Sequence, residues 1–65
     1  MNILVNGKTE TITPCTVAEL VAAKGIPAES LVVEYNREIV KQAQWSEVRL
    51  KEDDQLELLS FVGGG

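Results

Sequence analysis

Short stretches in which apolar and polar residues alternate make up most of the chain, and this pattern predicts β-strands with one buried face. The odd-numbered positions of residues 1–5 are Met, Ile and Val, and they would share the buried face of a first strand. Asn6-Gly7 follows and is typical of a type I′ hairpin turn, because both turn positions need a positive φ. Residues 8–12 are then predicted to return as a second strand.

One stretch has the spacing of a helix, and it begins with a capping box. Thr16 and Glu19 are three residues apart, so the Thr16 hydroxyl can accept from the backbone N–H of Glu19 while the carboxylate reaches back. The apolar stripe of a helix over residues 17–24 consists of Val17, Leu20 and Val21. Gly25 favours the left-handed conformation that ends a helix. So short a helix must pack on the sheet to be stable.

The second half of the chain predicts further short strands. The segments are a strand over 31–35, a turn at 36–38 before Ile39-Val40, a loop or single helical turn over 41–47, a short strand over 48–50, a charged turn over 51–54 and a final strand over 55–62. This order predicts an α+β domain, in which one main helix packs across one face of a mixed sheet of four to five strands. The first and last strands would lie side by side in the middle, although segment order alone leaves other α+β folds open.

Composition and charge narrow the class of function. A chain of 65 residues is enough for one domain. Ten acidic residues against six basic ones give a net charge of −4, so we expect no nucleic-acid partner. With no histidine and a single cysteine, neither a metal centre nor a classical enzyme active site is expected. No stretch approaches the ~20 apolar residues of a membrane span, and we expect a cytoplasmic protein with no membrane partner.

Gly63-Gly64-Gly65 follows the final strand directly. Glycine has no side chain and is disfavoured in regular structure, so we expect a folded domain over residues 1–62 and a flexible tail over residues 63–65. Such a tail can enter a channel too narrow for other residues, and the chemical group that it delivers is the Gly65 carboxylate. A frayed terminus or a cloning remnant is the alternative interpretation.

The final strand is predicted to have two different apolar faces. Leu56 and Leu58 share one face, and Leu59 and Phe61 share the other. If the first face packs on the helix, Leu59 and Phe61 lie on the open face of the sheet, joined by Leu4 from the neighbouring strand. An exposed apolar patch usually marks a partner site, which predicts a docking surface here. Self-association or a crystal contact is the alternative.

Several other residues are interpreted as structural. Cys15 has no CxxC partner and is expected to be an incidental or structural cysteine. Trp45 is expected to cover the core, and Asn36 to serve as a turn residue. The carboxylates of residues 52–54 form the only acidic cluster, and we expect them to lie in a solvated turn.

Taken together, these features resemble the ubiquitin-like sulfur carriers, most closely those of thiamine biosynthesis, the ThiS family. The matching residues are Met1-Asn2-Ile3-Leu4-Val5-Asn6-Gly7, Thr16-Val17, Asn36, Ile39-Val40, Trp45, Asp53-Asp54 and Phe61-Val62-Gly63-Gly64-Gly65. The resemblance covers the whole chain and implies the β-grasp arrangement of the ubiquitin-like fold. Residues 41–44, Lys-Gln-Ala-Gln, depart from the family pattern.

The resemblance implies a carrier that is acted on by enzymes, and not a catalyst. A ubiquitin-activating-type partner, a ThiF-like adenylyltransferase, would use ATP and Mg²⁺ to adenylate the Gly65 carboxylate, and this chain would bind no cofactor itself. A cysteine persulfide on another protein would supply sulfur and leave a thiocarboxylate at Gly65. A ThiG-like thiazole synthase would take that sulfur for the thiazole ring of thiamine. Gly63 and Gly64 would thread into the partner's active site.

Three related functions remain open at this point. A molybdopterin-type sulfur carrier shares the fold and tail chemistry, but those domains are usually longer and commonly carry proline before the glycines, where this chain has Phe61-Val62. A ubiquitin-like modifier would instead join Gly65 to a lysine through an isopeptide bond. A designed or truncated β-grasp scaffold with a glycine linker is the third alternative.

Overall fold

Five strands and one α-helix form the domain, and the computed structural model describes residues 1–60. In chain order the elements are β1 (Asn2–Val5), β2 (Lys8–Thr11), α1 (Val17–Lys24), β3 (Leu31–Tyr35), β4 (Glu38–Val40) and β5 (Gln55–Ser60). Two short 3₁₀ helices, Ala28–Ser30 and Gln42–Glu47, connect α1 to β3 and β4 to β5. The α+β class predicted from the sequence is therefore confirmed.

The sheet has the strand order β2-β1-β5-β3-β4. β1 and β5 are parallel, whereas the other three pairs are antiparallel, so the sheet is mixed. The prediction that the first and last strands lie side by side in the middle is confirmed. This arrangement, with one helix across one face, is the β-grasp fold.

Both hairpins of the sheet close through two-residue turns with positive φ at both positions. Asn6 and Gly7 have φ values of 52° and 81°, as the type I′ prediction requires. Asn36 and Arg37 have φ values of 49° and 75° and join β3 to β4 in the same way. Neither Asn36 nor Arg37 is a glycine, so the second turn holds two side chains in a region that L-residues seldom adopt. The prediction of Asn36 as a turn residue is confirmed.

Helix α1 begins and ends with the caps that the sequence predicts. The backbone N–H of Glu19 donates to Thr16 Oγ1 at 3.2 Å, and the backbone N–H of Thr16 donates to Glu19 Oε1 at 2.8 Å, which completes the capping box. Gly25 ends the helix with a φ of 70°, and its N–H donates to the carbonyl of Ala22 at 3.1 Å.

Within residues 1–60, no helix has the length and hydropathy needed to cross a membrane.

One hydrophobic core lies between α1 and the facing side of the sheet. The buried residues come from the helix, three strands and the β4–β5 connection: Ile3, Val5, Val17, Leu20, Val21, Leu31, Val33, Trp45, Leu50, Leu56 and Leu58. The predicted stripe of α1 is fully in this core, as is the predicted inner face of β5. The core therefore depends on residues from both ends of the chain.

The predicted strand over residues 48–50 is wrong. Arg49 makes only an isolated antiparallel bridge with Thr16, flanked by hydrogen bonds from the N–H of Val17 to Val48 O and from the N–H of Leu50 to Cys15 O, both 2.9 Å long. Helix α1 starts directly after Thr16. The partner segment therefore leaves the extended conformation after one residue, and the ladder cannot continue.

Trp45 closes the core from the 3₁₀ helix Gln42–Glu47. Its side chain is buried, with 4% exposure, and its indole Nε1–H donates to the carbonyl of Val40 at 2.9 Å. A buried indole N–H needs such a partner, and here the end of β4 supplies it. The interpretation of Trp45 as a cover for the core is confirmed.

Leu20→Ala is expected to lower the free energy of unfolding by about 2–5 kcal/mol, because Leu20 is buried against the sheet and its truncation leaves a cavity. Lys24→Ala is the matched control in the same helix: it removes the exposed ion pair with Glu10, and a change below about 1 kcal/mol is expected. Urea unfolding measures both values. A loss below about 1 kcal/mol for Leu20→Ala would contradict its place in the core.

Candidate functional site

The face of the sheet opposite α1 carries apolar side chains from three neighbouring strands: Leu59 and Ile39 are exposed, and Val32 is half-buried. Leu59 of β5 is 48% exposed and lies directly opposite Val32 of β3. Ile39 of β4 is 70% exposed and lies opposite Glu34. Glu34 follows Val32 by two residues on β3, so Ile39 and Val32 lie on the same face of the sheet. We call Val32, Ile39 and Leu59 the open-face patch. The predicted exposure of Leu59 is confirmed, whereas its role in docking stays a prediction.

Leu4 lies on the same face of the sheet but not beside Leu59. In the parallel β1–β5 pair Leu4 is opposite Gln55, and Leu59 is four residues further along β5. At about 3.3 Å per residue, the two positions are roughly 13 Å apart along the strands. The expectation that Leu4 joins Leu59 in one continuous patch is therefore wrong, because the register of β1 against β5 places Leu4 at the other end of β5.

Val32 and Ile39 are the patch residues that the sequence prediction missed. Val32 lies in the continuous apolar run of residues 31–33, where alternation does not identify the inner face. Ile39 was detectable, because a two-residue turn at 36–37 pairs it with Glu34, and a charged residue in this strand is expected to face water. Predicting Ile39 in the open-face patch therefore required the register of the β3–β4 hairpin, which the length of its turn determines.

Two carboxylates lie next to the open-face patch. Glu34 and Glu57 are direct cross-strand partners in the β3–β5 ladder, so their side chains point to the same face. Arg37 lines the same shallow depression as these two residues. Among residues 1–60, however, the salt bridge present joins Lys24 to Glu10, and no cation lies within 4.0 Å of either carboxylate. The patch is therefore bordered by two carboxylates that form no salt bridge with the described residues.

A third carboxylate, Asp54, is buried at the start of β5 with 5% exposure. Asp54 Oδ2 accepts from the Tyr35 hydroxyl at 2.8 Å and from the Lys51 N–H at 2.7 Å. Asp54 Oδ1 accepts from Asn36 Nδ2 at 3.2 Å. The expectation that all of residues 52–54 lie in a solvated turn is thus wrong for Asp54, because the turn directs its side chain inward to these three donors.

These hydrogen bonds shift the pKa values of both titratable partners. Burial raises the pKa of the Asp54 carboxyl, but the hydrogen bonds from Tyr35, Lys51 and Asn36 outweigh burial and hold the pKa below its usual value of 3.8. Burial, and then the hydrogen bond to Asp54, raise the pKa of Tyr35 to about 12. Asp54 is therefore a charged anchor that joins the end of β3 to the start of β5.

Cys15 has the environment of an unreactive thiol. It is half-buried beside the start of α1, and burial together with the nearby Glu19 carboxylate raises its pKa, against a smaller opposing effect of Arg49. Since the thiolate is the nucleophile, a raised pKa lowers reactivity at neutral pH. This agrees with the interpretation of Cys15 as a structural or incidental residue.

The remaining predicted site residues, Phe61, Gly63, Gly64 and Gly65, lie outside the described residues, as does the predicted boundary between residues 62 and 63. The last described residue, Ser60, pairs with Leu31 at the end of β5. The described part of the site is therefore the body from which residues 61–65 continue.

A five-stranded mixed sheet with the first and last strands at its centre and one helix across it defines a β-grasp domain. In agreement with this class, the crystal structure of the thiamine biosynthesis protein (ThiS) from Geobacter metallireducens matches with a TM-score of 0.86 and 36% identity, over 100% of both chains. The model of the ThiS family matches residues 3–65. The chain belongs to the ThiS family.

Two curated relatives differ in how much of their length this chain covers. The sulfur carrier protein ThiS of Bacillus subtilis is 36% identical over 50 residues, which are 77% of this chain and 76% of that protein. The thiazole synthase of Paramagnetospirillum magneticum is 32% identical over 66 residues, which cover 100% of this chain. The chain spans 20% of the length of that thiazole synthase.

Asp54→Asn is expected to lower the free energy of unfolding at pH 7 by about 1–3 kcal/mol, because it removes a buried, hydrogen-bonded charge. The folded-state pKa of Asp54 is lowered, so its stabilisation is present above about pH 4 and is lost as the pH falls through the folded-state pKa. The curves of wild type and variant should therefore converge in acid.

Asp53→Asn is the matched control, since the same substitution one residue earlier affects an exposed carboxylate and should change stability by less than about 0.5 kcal/mol. Urea unfolding between pH 2 and 8, at ~1-unit steps, measures all three proteins. Equal effects of the two substitutions at pH 7 would contradict the anchoring role of Asp54.

Proposed function

We propose that this chain is a sulfur carrier protein of thiamine biosynthesis and that the C-terminal carboxylate of Gly65 carries the sulfur. The observation that supports this most directly is membership of the ThiS family over residues 3–65, a range that includes Gly63-Gly64-Gly65. The relative from Bacillus subtilis bears the name sulfur carrier protein ThiS. The β-grasp body agrees with this function because it ends in the central strand that leads to the glycines.

The proposed chemistry takes place at Gly65 and is performed by partner enzymes. A carboxylate is a poor electrophile, so a ThiF-like adenylyltransferase uses ATP, with Mg²⁺, to form an acyl-adenylate at Gly65 and release pyrophosphate. The outer sulfur of a cysteine persulfide on another protein then displaces AMP and forms an acyl disulfide with Gly65. A thiol attacks the cysteine sulfur of this disulfide, so that the S–S bond breaks, a thiocarboxylate remains at Gly65 and a new disulfide forms on the donor protein. Gly63 and Gly64 provide a thread without side chains that reaches into the partner's active site. This chain acts as the substrate of these steps and binds no cofactor of its own.

A ThiG-like thiazole synthase is proposed as the enzyme that consumes the thiocarboxylate. The support is that a segment equivalent to this whole chain makes up one fifth of the thiazole synthase of Paramagnetospirillum magneticum. Two activities that share one polypeptide usually act on the same material, because the tether raises their effective concentration. The sulfur therefore passes to the thiazole ring of thiamine.

The open-face patch is the proposed docking surface for these enzymes, together with Phe61. A glycine thread offers only backbone groups, so specific affinity must come from the folded body. Leu59 lies two residues before Phe61, at the end of β5 from which the thread continues. Docking here would hold Gly65 near ATP and convert a bimolecular reaction into a local one. Leu4 of β1 lies opposite Gln55, the first residue of β5, so it would lie at the edge of this surface and not at its centre.

The charges of Glu34 and Glu57 define the chemistry of the partner surface. Two like charges directly opposite each other in a ladder destabilise the free domain. A partner that places an Arg or Lys side chain between them would remove this repulsion on binding. We therefore expect an apolar partner surface bordered by basic residues, with an association rate that falls as the salt concentration rises.

Leu59→Ala is expected to weaken binding to the adenylyltransferase by about 1–2 kcal/mol while leaving the fold nearly intact, because Leu59 is exposed. Leu58→Ala is the matched control on the opposite face of the same strand: it should cost about 2–5 kcal/mol of unfolding free energy and leave the affinity of the folded fraction unchanged. Phe61→Ala is expected to behave like Leu59→Ala. Calorimetry and urea unfolding measure the two effects, and the reverse pattern would mean that the faces of β5 are wrongly assigned.

Deletion of Gly65 is expected to retain docking and abolish thiocarboxylate formation. After incubation with the adenylyltransferase, ATP, a persulfide donor and a thiol reductant, the intact mass of the wild-type chain should rise by about 16 Da, as one sulfur replaces one oxygen. The deletion variant should show no such rise while its affinity stays within about twofold. Covalent attachment of the chain to lysines of other proteins, without the mass increase, would instead identify a protein modifier.

A further inference from the structure

Both hairpin turns of the sheet begin with an asparagine whose side chain binds β5. Asn6 opens the β1–β2 turn and Asn36 opens the β3–β4 turn. Oδ1 of Asn36 accepts from the backbone N–H of Gln55 at 2.9 Å, and Oδ1 of Asn6 accepts from the backbone N–H of Leu58 at 2.7 Å. The two asparagines therefore hold β5 from opposite sides, one at its first residue and the other three residues further on.

The side chain of Asn6 extends the parallel ladder between β1 and β5 by one step. The backbone N–H of Asn6 donates to the carbonyl of Leu56 at 2.9 Å. In a regular parallel ladder, the backbone carbonyl of the same residue would accept from the N–H of Leu58. The hairpin turn redirects that carbonyl, and Asn6 Oδ1 takes its place, while Asn6 Nδ2 donates to the carbonyl of Leu58 at 3.4 Å.

This contact decides how far β5 is held on its β1 side. Backbone pairing with β1 ends at Val5 opposite Leu56, and among residues 1–60 the Asn6 side chain makes the hydrogen bonds beyond that point on this side. On the other side, β3 pairs with β5 up to Ser60. Gly65 follows Leu58 by seven residues. Without Asn6, the last part of β5 would be held by one neighbour only.

We propose that Asn6 is a positioning residue for the carrier reaction, an inference that rests on the proposed function. Its side chain fixes the last described part of β5, from which the chain continues towards Gly65, relative to the open-face patch. Asparagine meets both requirements of this position. It tolerates positive φ, and its amide carries the same acceptor and donor as a peptide group.

Asn6→Gly separates these two requirements, because glycine retains the turn conformation and removes both side-chain hydrogen bonds. Asn6→Asp retains the acceptor for the N–H of Leu58 and serves as the rescue variant. Asn36→Gly is the control at the other turn: it removes the hydrogen bonds to Gln55 and to Asp54, on the other side of β5 and further from Gly65. Asn6→Ser, whose hydroxyl is too short to bind both groups of Leu58, replaces Asn6→Gly if that variant does not fold.

The experiment measures amide hydrogen exchange in the free proteins and ATP-dependent pyrophosphate release with a ThiF-like adenylyltransferase. In Asn6→Gly, protection of the Leu58 amide should fall by about tenfold. The kcat for adenylation should fall by about tenfold while KM for the carrier stays within about twofold, because docking is intact and the reacting group is misplaced. Asn6→Asp should restore both protection and kcat, and Asn36→Gly should keep kcat within about twofold of wild type.

Two results would overturn the inference. The first is loss of Leu58 protection in Asn6→Gly with an unchanged kcat, which would limit Asn6 to a structural role. The second is an equal fall of kcat in Asn6→Gly and Asn36→Gly, which would show a general loosening of β5. Failure of the wild-type chain to be adenylated is a different outcome, since it would refute the proposed function while the exchange data still report on the Asn6 contact.

Discussion

The parallel contact between β1 and β5 is the interaction on which the rest of the structure depends. Leu4 and Gln55 are paired although 51 positions separate them in the chain, so this contact carries a large loop-closure entropy cost. Burial of Ile3 and Val5 from β1 with Leu56 from β5 offsets that cost. Once β5 is in place, β3 pairs with its other edge and α1 gains a continuous apolar surface to cover.

The side chains of strand β5 alternate between the hydrophobic core and the open face of the sheet. Leu56 and Leu58 face the helix and are buried, whereas Glu57 and Leu59 face the open side of the sheet. A substitution on one face therefore affects the core, and a substitution at the next residue affects the surface. This arrangement places the proposed docking surface on the strand that directly precedes residues 61–65 in the sequence.

Polar side chains fix β5 where backbone pairing alone would leave it unsupported. Asp54 accepts three hydrogen bonds at the start of the strand, Asn36 binds Gln55, and Asn6 binds Leu58. Apart from the hydrogen bond from Lys51 to Asp54, these contacts join residues distant in sequence, so they also fix the hairpin turns at Asn6 and Asn36 relative to the sheet centre. Asp54 is the buried member of this group, and a buried polar group with its hydrogen bonds satisfied favours one arrangement of the chain.

The sequence by itself determined the features that depend on neighbouring residues: the Asn6-Gly7 turn, the caps of α1, its buried stripe and the two faces of β5. Together with the family resemblance, these were enough to predict the β-grasp fold and the exposure of Leu59. Only the tertiary structure decided that Asp54 is buried, that Leu4 lies far from Leu59 along β5, and that residues 48–50 form no strand. These outcomes depend on register and on donors brought together from distant parts of the chain, which local alternation and turn chemistry do not encode.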